Sequence, residues 1–106
     1  MLNRIGKGTI VFSNDPRICG FASVAGKTEK DGPCGKDFDV IIEDEYSGET
    51  TFEQAESRLV ATAVETLLNK TGVSAGDIDI LFGGDLLNQC AGSTFGAESF
   101  GIPHVG

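Results

Sequence analysis

A chain of 106 residues has room for one domain and can bury roughly two-thirds of its unfolded surface. With 40% hydrophobic and 23% charged residues it falls among ordinary globular chains, not disordered ones. A formal net charge of −8 argues against a nucleic-acid partner, which requires a basic face to displace counterions.

Met1 to Gly8 holds no apolar core, so no signal peptide is expected and a reducing interior is. No stretch approaches the roughly 18 apolar residues that a transmembrane helix needs, so any membrane is reached through a partner. Three scattered cysteines, Cys19, Cys34 and Cys90, with His104 as their one imidazole companion, form neither a zinc pattern nor a disulfide framework. Fifteen glycines, about double the average usage, imply many tight turns or close backbone approaches.

Thr9 to Ser13 is β-branched and aromatic and predicts a short strand ended by Asn14-Asp15-Pro16. A second extended piece is expected over Ile18 to Val24. Within it starts Gly20-Phe21-Ala22-Ser23-Val24-Ala25-Gly26-Lys27-Thr28, which looks like a phosphate-binding loop. Such a loop has four residues between its first glycine and Gly-Lys-Ser/Thr, and this one has five. It should also run straight into a helix, whereas Gly32-Pro33 favours a turn. The stretch therefore reads as a glycine-rich loop, and Ala25 to Asp37 as a loop throughout.

Half of the sixteen acidic residues lie between Asp37 and Glu56. Such a run is ordinarily a solvated face, the alternative being a divalent-cation site. Asp37-Phe38-Asp39 begins like a calcium loop, but Ile41 and Ile42 stand where oxygen ligands and glycine should follow. Phe38 to Tyr46 is ambiguous, with Val40, Ile41 and Ile42 apolar among acids.

The clearest element is a helix. Thr51 is its cap, with Gln54 in the capping-box position. Ala55, Leu59, Val60, Ala63, Val64, Leu67 and Leu68 recur on one face, Lys70 complements the dipole and Gly72 supplies the stop. Ser74 and Asp77 make a brief further turn. Ile78 to Phe82 then reads as a buried parallel strand. Leu86 to Phe100 reads as a helix whose small residues let it approach the sheet, and Ile102 to Val105 as the start of another strand.

The expected fold class is therefore α/β, a mostly parallel sheet with packed helices and right-handed crossovers, incomplete at the C-terminus. A last strand that has hardly begun reads as part of a larger domain, because it leaves unpaired backbone and an uncovered helix face. Ligands in open α/β sheets sit beyond the carboxyl ends of the strands. Here that rim is Gly83 to Gln89, where Asp85, Asn88 and Gln89 offer polar groups. Each has a local alternative: Asp85 as a helix cap, Asn88 and Gln89 as partners of nearby backbone. Cys90 lacks an adjacent base, since His104 lies across the expected helix, and no complete catalytic constellation is found.

Lys27-Thr28-Glu29-Lys30-Asp31-Gly32-Pro33, Phe38-Asp39, Asp77 to Leu81, Gly84-Asp85-Leu86-Leu87-Asn88-Gln89 and Ile102-Pro103 together resemble the amino-terminal part of the stage V sporulation protein AD family. The resemblance runs over nearly the whole chain. It implies that residues 1–106 are the amino-terminal part of a thiolase-like domain. It implies a non-enzymatic parent that binds dipicolinic acid, alone or as the calcium chelate, and supports its uptake into the developing spore. No cofactor is implied. Implied partners are the membrane-embedded stage V sporulation A proteins and, through Gly83 to Gly96, a homodimer. The implied location is peripheral, at the cytoplasmic side of the spore inner membrane. Ligand or interface residues on the matching segments would be Lys30, Asp31, Asp85, Asn88 and Gln89. The alternative is part of an active thiolase or β-ketoacyl-synthase-type acyltransferase, whose nucleophilic cysteine would follow the strand begun at Ile102.

Overall fold

The computed structural model describes residues 2–85 and 91–106. In chain order its elements are β1 (Leu2–Ile5), β2 (Thr9–Phe12), β3 (Val24–Gly26), α1 (Lys27–Lys30), β4 (Val40–Ile42), α2 (Phe52–Thr71), β5 (Leu81–Phe82), α3 (Ala91–Glu98) and β6 (His104–Val105). Short 3-10 turns at Gly35–Asp37 and Ala75–Asp77 join them. The architecture is mixed α/β.

α2 forms where periodicity and caps agree. The Thr51 hydroxyl accepts from the Gln54 N–H at 3.2 Å. Gly72, at φ +73°, closes the far end by donating its N–H to the Leu68 carbonyl. The capping box is only half made, because the Gln54 side chain accepts from the Thr50 hydroxyl at 2.8 Å instead of turning back to the cap. A complete box forms at Ser74 and Asp77.

The expected sheet is not continuous. The described strands make three two-stranded ladders: β1 with β2 antiparallel, β3 with β4 parallel, and β5 with β6 parallel. The first is a hairpin, and its strand β1 falls in Met1 to Gly8, where the sequence signals none. Ile5 faces Thr9 across the three-residue link Gly6-Lys7-Gly8, and Gly6 takes φ +64°. Ile18 to Ser23 is irregular; the extended run begins only at Val24. Ala25 to Asp37 is not a loop throughout: the strand end, one helical turn and a 3-10 turn occupy most of it. The helical turn stops at Asp31, before the Gly32-Pro33 break.

β5 also differs from expectation. Only Leu81 and Phe82 pair, in parallel with His104 and Val105, and Phe82 is 75% exposed. A two-residue ladder with one neighbour cannot cover both faces of Ile78 to Phe82.

α3 packs mainly on α2 rather than on the sheet. A Cβ at Gly96 would stand 2.6 Å from the Ser57 carbonyl oxygen and 2.8 Å from the Val60 Cβ, so only glycine permits this approach. The fully buried apolar set among the described residues is Ala25, Ala55, Ala97 and Ile102. Leu59, Val60, Val64, Leu67 and Leu68 are half-buried, so the apolar stripe of α2 is only partly covered.

The opening glycine of the loop-like stretch has a packing reason. A Cβ at Gly20 would lie 2.3 Å from the Thr71 Cγ2, where the segment crosses the end of α2.

Candidate functional site

The rim beyond β5 is built from backbone first. The Leu81 N–H donates to the Pro103 carbonyl and the Gly83 N–H to the Val105 carbonyl, which holds Gly83 against β6. A Cβ at Gly83 would fall 2.6 Å from the His104 Nε2 and 3.2 Å from the Ser93 Cβ. The rim and α3 thus meet through small residues.

Asp85 follows, and its Oδ2 accepts from the Ser93 N–H at 3.0 Å in the first turn of α3. A carboxylate there accepts from a first-turn helix N–H and complements the positive helix end. Ser93 is 1% exposed, and the His104 Nε2 is shut off from solvent with no hydrogen-bond partner among the described residues.

In front of this rim lies a groove of about 480 Å³ lined by Glu45, Phe52, Ala55, Glu56, Leu59, Gly84 and Asp85. Its outer wall is set by a tight turn. The two Asp44 carboxylate oxygens accept from the Tyr46 N–H at 3.0 Å and the Gly48 N–H at 2.7 Å. Those two bonds hold the Asp44 carboxyl below its ordinary value. The turn brings the Tyr46 ring onto Phe52, with centroids 4.5 Å apart and planes within 8°. The floor of the groove is apolar and its rim carries three carboxylates.

Lys30 and Asp31 lie elsewhere. α1 packs on β3 and β4, and Lys30 pairs with Glu43 across that surface. Asp31 ends the helical turn, its N–H donating to the Lys27 carbonyl at 3.2 Å. Both side chains are exposed, and no hydrogen bond or ion pair among the described residues links either to Asp85. Asn88 and Gln89, like Cys90, lie outside the described residues. Cys19 and Cys34 are free, exposed thiols.

Sequence reasoning missed a polar hub around Asp39. Its Oδ2 accepts from the Ser23 N–H at 2.8 Å and its Oδ1 from the Lys70 Nζ at 3.0 Å. The Lys70 ammonium also sits 4.7 Å from the centre of the Phe21 ring. The bonds from Lys70 and Ser23, with the Lys70 charge, hold the Asp39 carboxyl below its ordinary value. Phe38-Asp39 is one of the segments that carry the resemblance, and in the fold Asp39 joins the starts of β3 and β4 to the end of α2. Among the described residues, no helix is long and apolar enough to cross a membrane.

A family model described as stage V sporulation protein AD matches residues 6–106. The chain is similar to the stage V sporulation protein AD of Bacillus subtilis (strain 168), at 37% identity over 100 residues. That alignment takes in 94% of this chain and 30% of the relative, so the chain spans under a third of the relative's length. The chain belongs to the stage V sporulation protein AD family.

Proposed function

We propose that residues 1–106 form the amino-terminal part of a thiolase-like domain that binds dipicolinic acid and supports its uptake into the developing spore. Family membership over residues 6–106 is the observation that carries this reading. The protein acts as a binding component, without an acyl-enzyme intermediate. It works at the cytoplasmic side of the spore inner membrane through the membrane-embedded stage V sporulation A proteins.

The charge of the rim bears on the form of the ligand. Dipicolinate is a planar aromatic dianion, and Glu45, Glu56 and Asp85 around the groove would repel it. Its calcium chelate carries no net charge at one metal per ligand, so an acidic rim suits the chelate better. In this reading Asn88 and Gln89 supply neutral donors and acceptors, while Asp85 holds the start of α3 in register. Lys30 and Asp31 serve a separate contact surface on α1.

Two measurements on the full-length protein test this. Dipicolinate with calcium should raise its Tm, because a ligand that binds the folded state alone stabilises it. Incubation with acyl-coenzyme A should leave its mass unchanged. A stable acyl adduct on a cysteine would replace the binding role with that of an acyltransferase.

A further inference from the structure

The stacked rings of Tyr46 and Phe52 are held from both sides. Phe52 is the first residue of α2, and the Thr51 cap fixes where that helix begins. Tyr46 is fixed by its own turn. Besides the two bonds to the Asp44 carboxylate, the Ser47 N–H donates to the Asp44 carbonyl at 2.9 Å and the Glu49 N–H to the Tyr46 carbonyl at 2.7 Å. Within the turn Ser47 takes φ +52°, a left-handed conformation that is uncommon and costly for a residue with a side chain. Four hydrogen bonds thus hold a strained turn whose outcome is the position of one ring on another.

Tyr46 covers one face of the Phe52 ring, and Phe52 itself lines the groove. A rigid aromatic wall therefore bounds the groove, with few rotatable bonds left to freeze when a ligand is laid against it. Gly84 lines the same groove, and a Cβ there would meet nothing within 4 Å, so the space beside it is unfilled. The volume of about 480 Å³ falls within the range of small-molecule sites, about 300–1,000 Å³. Such a wall discriminates by shape. A planar π-system gains offset stacking across its face, whereas a puckered ring of similar size touches at only a few atoms.

We infer that the Tyr46–Phe52 pair selects planar aromatic ligands, with Phe52 as the stacking surface and Tyr46, set by the Asp44 turn, as its support. This rests on the reading of the groove as the dipicolinate site. It adds that recognition depends on the ring, and not only on carboxylates that a saturated chelator of calcium presents as well.

The test compares dipicolinate with its saturated piperidine counterpart, both with calcium, on the full-length protein. The counterpart keeps the nitrogen and both carboxylates but has a puckered ring. Each ligand's own affinity for calcium is the same whichever variant it meets, so a change between variants belongs to the protein. Phe52→Leu should raise the dipicolinate Kd about three- to tenfold, the scale of one aromatic pair, and leave binding of the weaker saturated ligand unchanged. Phe52→Trp and Tyr46→Phe should keep dipicolinate affinity, and Tyr46→Ala should lower it. Thermal unfolding without ligand reports any loss of fold separately.

An unchanged dipicolinate Kd in Phe52→Leu, equal weakening of both ligands, or weakened binding in Phe52→Trp would overturn the selection. Gly84→Leu, which fills the groove, separates that failure from failure of the site. Binding lost in Gly84→Leu but unchanged in Phe52→Leu overturns the aromatic wall alone. Binding unchanged in both, or absent from the wild type, overturns the groove as the dipicolinate site and the wall with it.

Discussion

The Lys70 ammonium lies 3.0 Å from the Asp39 carboxylate, joining two residues that stand 31 apart in the chain. The pair ties the end of α2 to the parallel β3–β4 ladder, and the Phe21 ring extends it by a cation–π contact. Asp39→Asn and Lys70→Met should each lower the Tm, and the double variant should lose less than the sum. Thermal unfolding of the four proteins at low and high salt checks this. The coupling should shrink as salt rises, because both groups are partly exposed. Strict additivity at low salt would contradict a direct pair.

Acid should weaken the fold in a defined window. Asp39 and Asp44 are both held below the ordinary value of 3.8, Asp39 by Lys70 and Ser23 and Asp44 by two backbone N–H groups. Their folded-state pKa values are therefore depressed, and the unfolded chain binds more protons as pH falls. The resulting stabilisation is present above the ordinary value and is lost as pH drops through the folded values beneath it. Denaturant titrations from pH 6 downward should show the wild type losing stability below about pH 4. Asp44→Asn should show a shallower decline. An equal slope in both would place the acid-sensitive group elsewhere.

Much of the fold was legible where the signal is local. Thr51, the apolar recurrence from Ala55 to Leu68 and Gly72 are all within a turn or two of the groups they act on, and α2 forms between them. The β1 strand was not, because Asn3 and Arg4 break its alternation and both faces of the hairpin carry apolar residues. Ile78 to Phe82 looks like a buried strand by composition. How much of it pairs depends on a neighbour more than twenty residues away, and only two residues do. The helical turn at Lys27 was hidden among glycine and charge. At the candidate site, the capping alternative for Asp85 was readable from its position before a helix. The partnership of Asp39 with Lys70 was not, since no spacing rule joins positions that far apart.

The contact between α3 and α2 should tolerate no side chain at Gly96. Gly96→Ala forces a methyl group against the Ser57 carbonyl and Val60, and should cost about 1–3 kcal/mol by overpacking. Gly84→Ala meets open space and should be close to neutral. Urea unfolding of the two variants separates these outcomes. A neutral Gly96→Ala would mean that the helices do not approach as described.

Asp85 and Asn88 should separate on substitution in the full-length protein. Asp85→Ala removes the acceptor for the Ser93 N–H and should cost about 1 kcal/mol of stability, as for loss of a helix cap. Asn88→Ala should weaken dipicolinate binding while leaving the Tm of the unliganded protein within error. Parallel Tm and binding measurements decide it. Loss of binding without loss of stability for Asp85→Ala would move that residue to the ligand.

Calorimetric titration of the full-length protein with dipicolinate, with and without calcium, reaches the central claim most directly. On the proposed reading, in which the acidic groove holds the neutral chelate, saturable heat should appear and should be stronger with calcium. No heat at millimolar ligand in either condition would contradict it.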